Sequence, residues 1–73
     1  MSRLRPLKSP VLLKILEKYY GYGARMGSGR HVILQDSNGH TTVIQLNIKL
    51  GRGIVKKILN QTGLQWEDIE KYL

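Results

Sequence analysis

The side chain best suited to chemistry in this sequence is His31. It sits in the run Arg30-His31-Val32-Ile33-Leu34-Gln35, just after Gly27-Ser28-Gly29. Histidine exchanges a proton near neutral pH, because its unperturbed pKa is about 6.5. One reaction open to such a group is cleavage of RNA. There a base takes the proton from a 2′-hydroxyl, whose oxygen then attacks the adjacent phosphorus, and no cofactor is required. Nearby cations would stabilise the extra negative charge of the transition state, and Arg25 and Arg30 are adjacent candidates. The plainer reading of His31 is a surface strand residue that touches phosphate or nothing. His40, beside Asn38-Gly39, reads as a solvated hairpin residue.

The other chemistry-bearing patterns point the same way or drop out. Gly27-Ser28-Gly29 lacks the Lys-Ser/Thr and the helix that a phosphate-binding P-loop needs, since a strand follows it. It reads instead as a positive-φ turn that lets the backbone, at Gly29 for instance, come close to RNA. Lys49, Arg52, Lys56 and Lys57 form a second basic cluster. Arg52, Lys56 and Lys57 straddle a helix start at i, i+4, i+5 spacing, where the helix dipole adds to their charge and phosphates can be held. The alternative is an ordinary solvated helix face. With 0 cysteines and 2 histidines, neither a thiolate nor a histidine-only zinc site can be built. The five carboxylates are too scattered for a paired acid–base or two-metal site. No metal or cofactor is expected.

Charge supplies the substrate class. The 73 residues carry 12 Lys and Arg against 5 Asp and Glu, for a net charge of +7. Three of the acids, Glu67, Asp68 and Glu70, lie in the last seven residues beside Lys71; before them, 11 basic side chains face Glu17 and Asp36 alone, a balance of +9. A basic body with a small acidic tail is the footprint of a polyanion binder, either nucleic acid or an acidic protein. The aromatic fraction is 7% with no Phe, which argues against rows of stacking platforms for single-stranded bases. The longest apolar runs, such as Val11-Leu12-Leu13, are three residues, far short of the ~20 residues of a membrane span. No signal peptide is visible, and a soluble, cytoplasmic protein is expected.

The elements that must position these residues follow from periodicity. Met1 to Lys8 reads as a basic, loosely held arm, and residues 9–73 as one domain. Ser9-Pro10 is a helix start, with Ser as cap and Pro at the first helical position. Leu12, Ile15, Leu16 and Tyr19 make the apolar stripe of that helix, which should end near Tyr20-Gly21. Core packing accounts for Tyr19, while Tyr22 is expected to be more exposed. Three strands are predicted next: Tyr22–Met26, Arg30–Gln35 and Thr41–Leu46, with Asp36-Ser37-Asn38-Gly39 as a hairpin turn. Asn47 to Arg52 is predicted as a loop. A second helix should run from Gly53 to Gln61 on the stripe Ile54, Val55, Ile58, Leu59, with Thr62-Gly63-Leu64 as its stop. A short helix over Trp66–Tyr72 completes an α+β, α-β-β-β-α fold with helices on one face of a three-stranded antiparallel sheet. Strand alternation puts Val32, Leu34, Thr42, Ile44 and Leu46 towards the helices. His31, Ile33, Gln35, Thr41, Val43, Gln45 and Arg25 then share the open face.

This order of motifs resembles the HicA (YcfA-like) mRNA interferase toxins of type II toxin–antitoxin modules. The resemblance rests on Leu12-Leu13-Lys14-Ile15-Leu16-Glu17, on Arg25 through Leu34 with its Gly-Arg-His block, on the Asp36–Gly39 turn, and on Leu50 through Leu64 with its Gly-Leu exit. It covers nearly the whole chain after the arm. It implies a fold like a double-stranded-RNA-binding domain (dsRBD-like), endoribonuclease activity on mRNA with His31 as general acid/base, and neutralisation by a HicB-like antitoxin. Arg30 stands where the family has Ser before its histidine, and Ile44-Gln45-Leu46-Asn47 lacks the Pro-x-His element that often ends the family's third strand. A non-catalytic RNA-binding module of the same fold, or an adaptor for an acidic protein, therefore remains alongside the nuclease.

Overall fold

Pro10 near the start and three apolar residues at helical spacing explain the first helix, and the chain then reverses at glycines into a sheet. The computed structural model describes residues 3–73. Its elements run β1 (Leu7–Lys8), α1 (Ser9–Tyr19), β2 (Gly23–Met26), β3 (His31–Gln35), β4 (Thr41–Gln45), β5 (Lys49–Leu50), α2 (Arg52–Thr62) and α3 (Trp66–Glu70). The α+β order helix, three antiparallel strands, helix, short helix is the expected one. The larger sheet has the strand order β2-β3-β4.

Two features were not foreseen. The predicted loop after β4 contains β5, which pairs antiparallel with β1, Leu7 opposite Leu50 and Lys8 opposite Lys49. Leu7 is buried with the core, so the end of the predicted arm is firmly held; Met1 and Ser2 lie outside the described residues. Ser9 also does something other than cap. The helix starts at Ser9 itself, with Lys8 as N-cap and no side-chain cap bond. The fully buried Ser9 hydroxyl instead donates to Ile48 O and accepts from Ile48 N, both at 3.1 Å. It thereby ties α1 to the turn before β5. Helix and strand ends otherwise differ from expectation by one or two residues.

The α1 helix ends by a left-handed reversal at Gly21, where Tyr20 N and Tyr22 N both donate to Leu16 O. That reversal inverts the two tyrosine expectations. Tyr22 is turned inward and buried, whereas Tyr19 is 43% exposed and stacks on Tyr72 with ring centroids 3.6 Å apart. The α2 helix ends at Gly63 in the left-handed region, with Leu64 N donating to Leu59 O as the Gly-Leu pattern requires.

The register of β3 on β4 pairs Val32 with Ile44 and Leu34 with Thr42, all four buried, while the alternate residues point away. The inner set packs against Leu12, Ile15 and Leu16 of α1 and Val55, Ile58 and Leu59 of α2. At ~0.05–0.15 kcal/mol per residue, a chain of 73 residues holds a net stability of about 4–11 kcal/mol. A single buried Leu truncated to Ala costs about 2–5 kcal/mol, so Leu34 alone accounts for a large share.

Candidate active site and nucleic-acid interface

His31 is the first residue of β3, and the tight turn before it fixes its ring. Gly27 N donates to His31 O at 2.8 Å, and His31 N donates to Ser28 O at 3.3 Å. The ring atom Nδ1 lies 3.1 Å from the same Ser28 carbonyl. A carbonyl can only accept, so Nδ1 carries the proton of that bond. In the neutral ring, Nε2 is then the nitrogen with the free lone pair. The turn depends on Gly29, whose φ of 61° lies in the left-handed region. A side chain on Gly27 would press within 3.2 Å of Ile33 Cδ1. The Gly-Ser-Gly segment thus holds the histidine rather than cradling a nucleotide.

Across the ladder His31 faces Gln45. The flanking bond from Leu46 N to Arg30 O makes this a non-hydrogen-bonded pair, in which side chains approach closely. Both residues line an open groove of about 470 Å³. One wall is β4, through Thr41, Val43 and Gln45. The other is a stripe of α2, Ile54, Lys57, Ile58 and Gln61, with Ile48 and Leu50 below. A hydrogen bond of 2.7 Å from Thr42 Oγ1 to Gln61 Oε1 ties the two walls together. Ile54, predicted for the core, is 49% exposed and faces this groove.

The expected basic residues fall into three groups. Lys57 lines the groove with His31. Arg25 lies opposite Ile33, which in turn faces Val43, so it shares the sheet face of His31. Gly29 and Arg30 belong to the histidine turn, with Arg30 exposed. Lys49, Arg52 and Lys56 are exposed but are not part of the groove lining. Arg52 is the first residue of α2, so the expected cluster does sit at a helix start. Sequence reasoning did not single out Gln45 and Gln61, which line the groove, or Lys8, which faces Lys49. Gln45 carried a signal, since strand parity placed it beside His31. Gln61 and Lys8 carried none, because only tertiary pairing brings them to Thr42 and Lys49.

His40 is exposed as expected, yet it has a structural partner. Its Nδ1 lies 2.9 Å from Asp36 Oδ2, while Asp36 Oδ1 accepts from Asn38 N and His40 N. Partial burial works to raise the Asp36 pKa. Hydrogen bonds from the His40 ring and backbone, the His40 charge and the Asn38 N–H outweigh it, and the carboxyl is held below its ordinary value. This clasp closes the β3–β4 hairpin on the side away from His31. Among the described residues no helix is long and apolar enough to cross a membrane.

No curated protein shows significant similarity to the chain. A family model does match: residues 11–64, from α1 through the Gly63-Leu64 exit, fit the one described as the HicA toxin of bacterial toxin–antitoxin systems. The match takes in the histidine turn, the sheet and both walls of the groove over well over half of the 73 residues, and the chain belongs to the HicA toxin family.

Proposed function

We propose that this chain is an endoribonuclease that cleaves mRNA with His31 as its general acid and base, and that a HicB-like antitoxin neutralises it. The observation that carries this reading is the fixed His31 ring: Ser28 O holds Nδ1, and Nε2 is left free at a groove that Lys57 also lines. Nε2 takes the proton of a 2′-hydroxyl. The 2′-oxygen forms a bond to phosphorus as the bond to the 5′-oxygen breaks, and the same histidine returns the proton to that leaving oxygen. The products are a 2′,3′-cyclic phosphate and a 5′-hydroxyl. Lys57, in the groove, and Arg25, on the same sheet face, are the cations that would offset the growing phosphoryl charge, the interaction that lowers the barrier. Arg30, where the family has Ser, adds a cation at the turn. The basic start of α2, with Arg52 and Lys56, and Lys49 on β5 extend the contact to flanking phosphates. Shape and charge, more than base sequence, would then guide binding.

A positioned general acid–base contributes about 10²–10⁴-fold to rate. His31→Ala is expected to lose that much cleavage at equal RNA occupancy. The residue is exposed, so no cavity opens, and RNA affinity changes little. An RNA with a single 2′-deoxy nucleotide at the cleaved position should resist cleavage. Equal rates for wild type and His31→Ala, or cleavage of the deoxy substrate, would remove the reading. Wild-type binding without cleavage would favour the RNA-binding module, which the Arg30 substitution supports.

A further inference from the structure

The free edge of β4 has a use that RNA cleavage does not give it. Resting on the reading of this chain as a toxin with a protein antitoxin, we propose that the antitoxin is gripped by strand addition. An extended, acidic segment of the antitoxin pairs with the outer edge of β4, lies in the groove beside α2, and covers His31.

The register fixes which backbone groups are available. Leu46 N bonds to Arg30 O and Asp36 N bonds to His40 O. Antiparallel alternation then directs Thr42 and Ile44 towards β3 and turns the N–H and C=O of Thr41, Val43 and Gln45 outward. The strand order β2-β3-β4 leaves β4 at the edge, and among the described residues no strand pairs with its other side. An open edge of this kind is a template for another chain.

Along the outer edge of β4, as distinct from the His31 end of the groove, the backbone suits a peptide better than a run of phosphates. An outward strand edge alternates donors with acceptors. Phosphate oxygens can only accept, so they would meet the three outward carbonyls unfavourably, whereas a peptide strand satisfies both kinds of group. Val43, Ile48 and Ile54 stand 47%, 37% and 49% exposed around the groove, an apolar lining that a strand's side chains would cover. No acidic side chain lines it, Lys57 does, and the chain carries a net charge of +7. An incoming strand with apolar residues on one side and Asp or Glu on the other is the complement. From Thr41 to Gln45 the edge spans about 14 Å, at roughly 3.4 Å per residue, enough for a five-residue segment.

The test uses the full chain co-expressed with the antitoxin from the neighbouring reading frame, with amide hydrogen exchange read residue by residue. In the free protein Thr41, Val43 and Gln45 should exchange quickly and Thr42 and Ile44 slowly. In the complex all five should be slow, while bound RNA leaves the first three fast. Val43→Pro removes one outward donor at a position where an edge strand tolerates proline. It should weaken antitoxin binding by roughly five- to tenfold, the effect of one net hydrogen bond. The exchange comparison stands on the wild-type chain whether or not that variant folds. An antitoxin that binds and silences the toxin while Thr41, Val43 and Gln45 stay fast overturns strand addition and leaves the antitoxin reading intact. Protection of those amides by RNA alone also overturns it. Failure of any antitoxin to bind overturns the antitoxin reading itself, and strand addition with it.

Discussion

Lys8 and Lys49 stand directly opposite each other across β1 and β5, and both are exposed. The bond from Ser9 N to Ile48 O flanks them, so theirs is a non-hydrogen-bonded pair. In such pairs the Cα atoms come to about 4.5 Å and the side chains are at their closest. Opposed like charges cost, and opposite charges contribute, about 0.2–1 kcal/mol. Lys8 is also the N-cap of α1, where the positive end of the helix dipole disfavours a cation. Lys8→Glu reverses both effects. Because the pair faces water, the low end of each range applies, and the expected gain is about 0.5–1 kcal/mol at low salt. In a domain of this size 1 kcal/mol moves Tm by about 4–8 °C, so a rise of roughly 2–8 °C is expected. At 1 M salt, where the screening length is about 3 Å, the rise should largely vanish. The same substitution deletes one cation and adds an anion directly beside Lys49, which is on the path proposed for flanking phosphates. RNA affinity should fall, and its log–log salt slope should flatten by about 0.7–2. Thermal melts and RNA binding, each at low and high salt, give all four numbers. A Tm that does not rise at low salt, or a rise that persists at 1 M, refutes the electrostatic account. Unchanged RNA binding removes Lys8 and Lys49 from the nucleic-acid path.

Gly29→Ala should lose about 1–2 kcal/mol of stability from backbone strain, since its new Cβ would meet only His31 Nδ1 at 3.9 Å. Relief of that strain moves Ser28 O off the ring, so cleavage should drop while RNA affinity holds; a fully active variant would show that the turn does not orient His31. Replacing Arg52, Lys56 and Lys57 together with Ala should flatten the RNA salt slope by up to three contacts at about 0.7–0.9 each. An unchanged slope with the fold intact would place the RNA elsewhere. The Asp36 carboxyl is depressed in the folded state, so its contribution is present above the unfolded pKa and is lost as pH falls through the folded one. Wild type should therefore melt higher than Asp36→Asn at pH 6, and the gap should close below about pH 4; a constant gap down to pH 2 would rule this out.

Local rules carried most of the fold. Helical spacing gave Leu12, Ile15, Leu16, Val55, Ile58 and Leu59, and strand alternation gave the two faces of β3 and β4, with His31 outward. Each of these is a statement about neighbours within a few residues. The failures share the opposite character. Ser9 reads as a cap because Ser-Pro is a local helix-start signal, yet its hydroxyl is used by Ile48, 39 positions away. The β1–β5 pair is two residues long, too short for any periodicity to register. Tyr19 and Tyr22 exchange places because one left-handed residue, Gly21, decides where the next side chain points. The candidate site follows the same division. His31 was legible from its type and its turn, but its company was not. Lys57 was expected at phosphates on a helix face, and only the crossing of α2 beside β4 brings it into one groove with His31.

That crossing has a consequence for regulation. A separate inhibitory site would need a conformational change to reach His31, and a small core leaves little room for two stable packings. Here His31, Lys57 and the free edge of β4 border one groove, so on the proposed function the RNA and the antitoxin would compete for the same space. Competition of that kind is set by the affinities and concentrations of the two ligands, with no conformational switch required. The two ligands nevertheless use different forces. RNA would be held through phosphate charge and would weaken steeply with salt, whereas an added strand would be held in large part through backbone hydrogen bonds and apolar contact. Raising salt should therefore shift occupancy from RNA towards the antitoxin. The acidic residues of the segment give inhibition some salt dependence of its own, but a slope as steep as that of RNA binding would count against a strand held at the β4 edge by backbone hydrogen bonds.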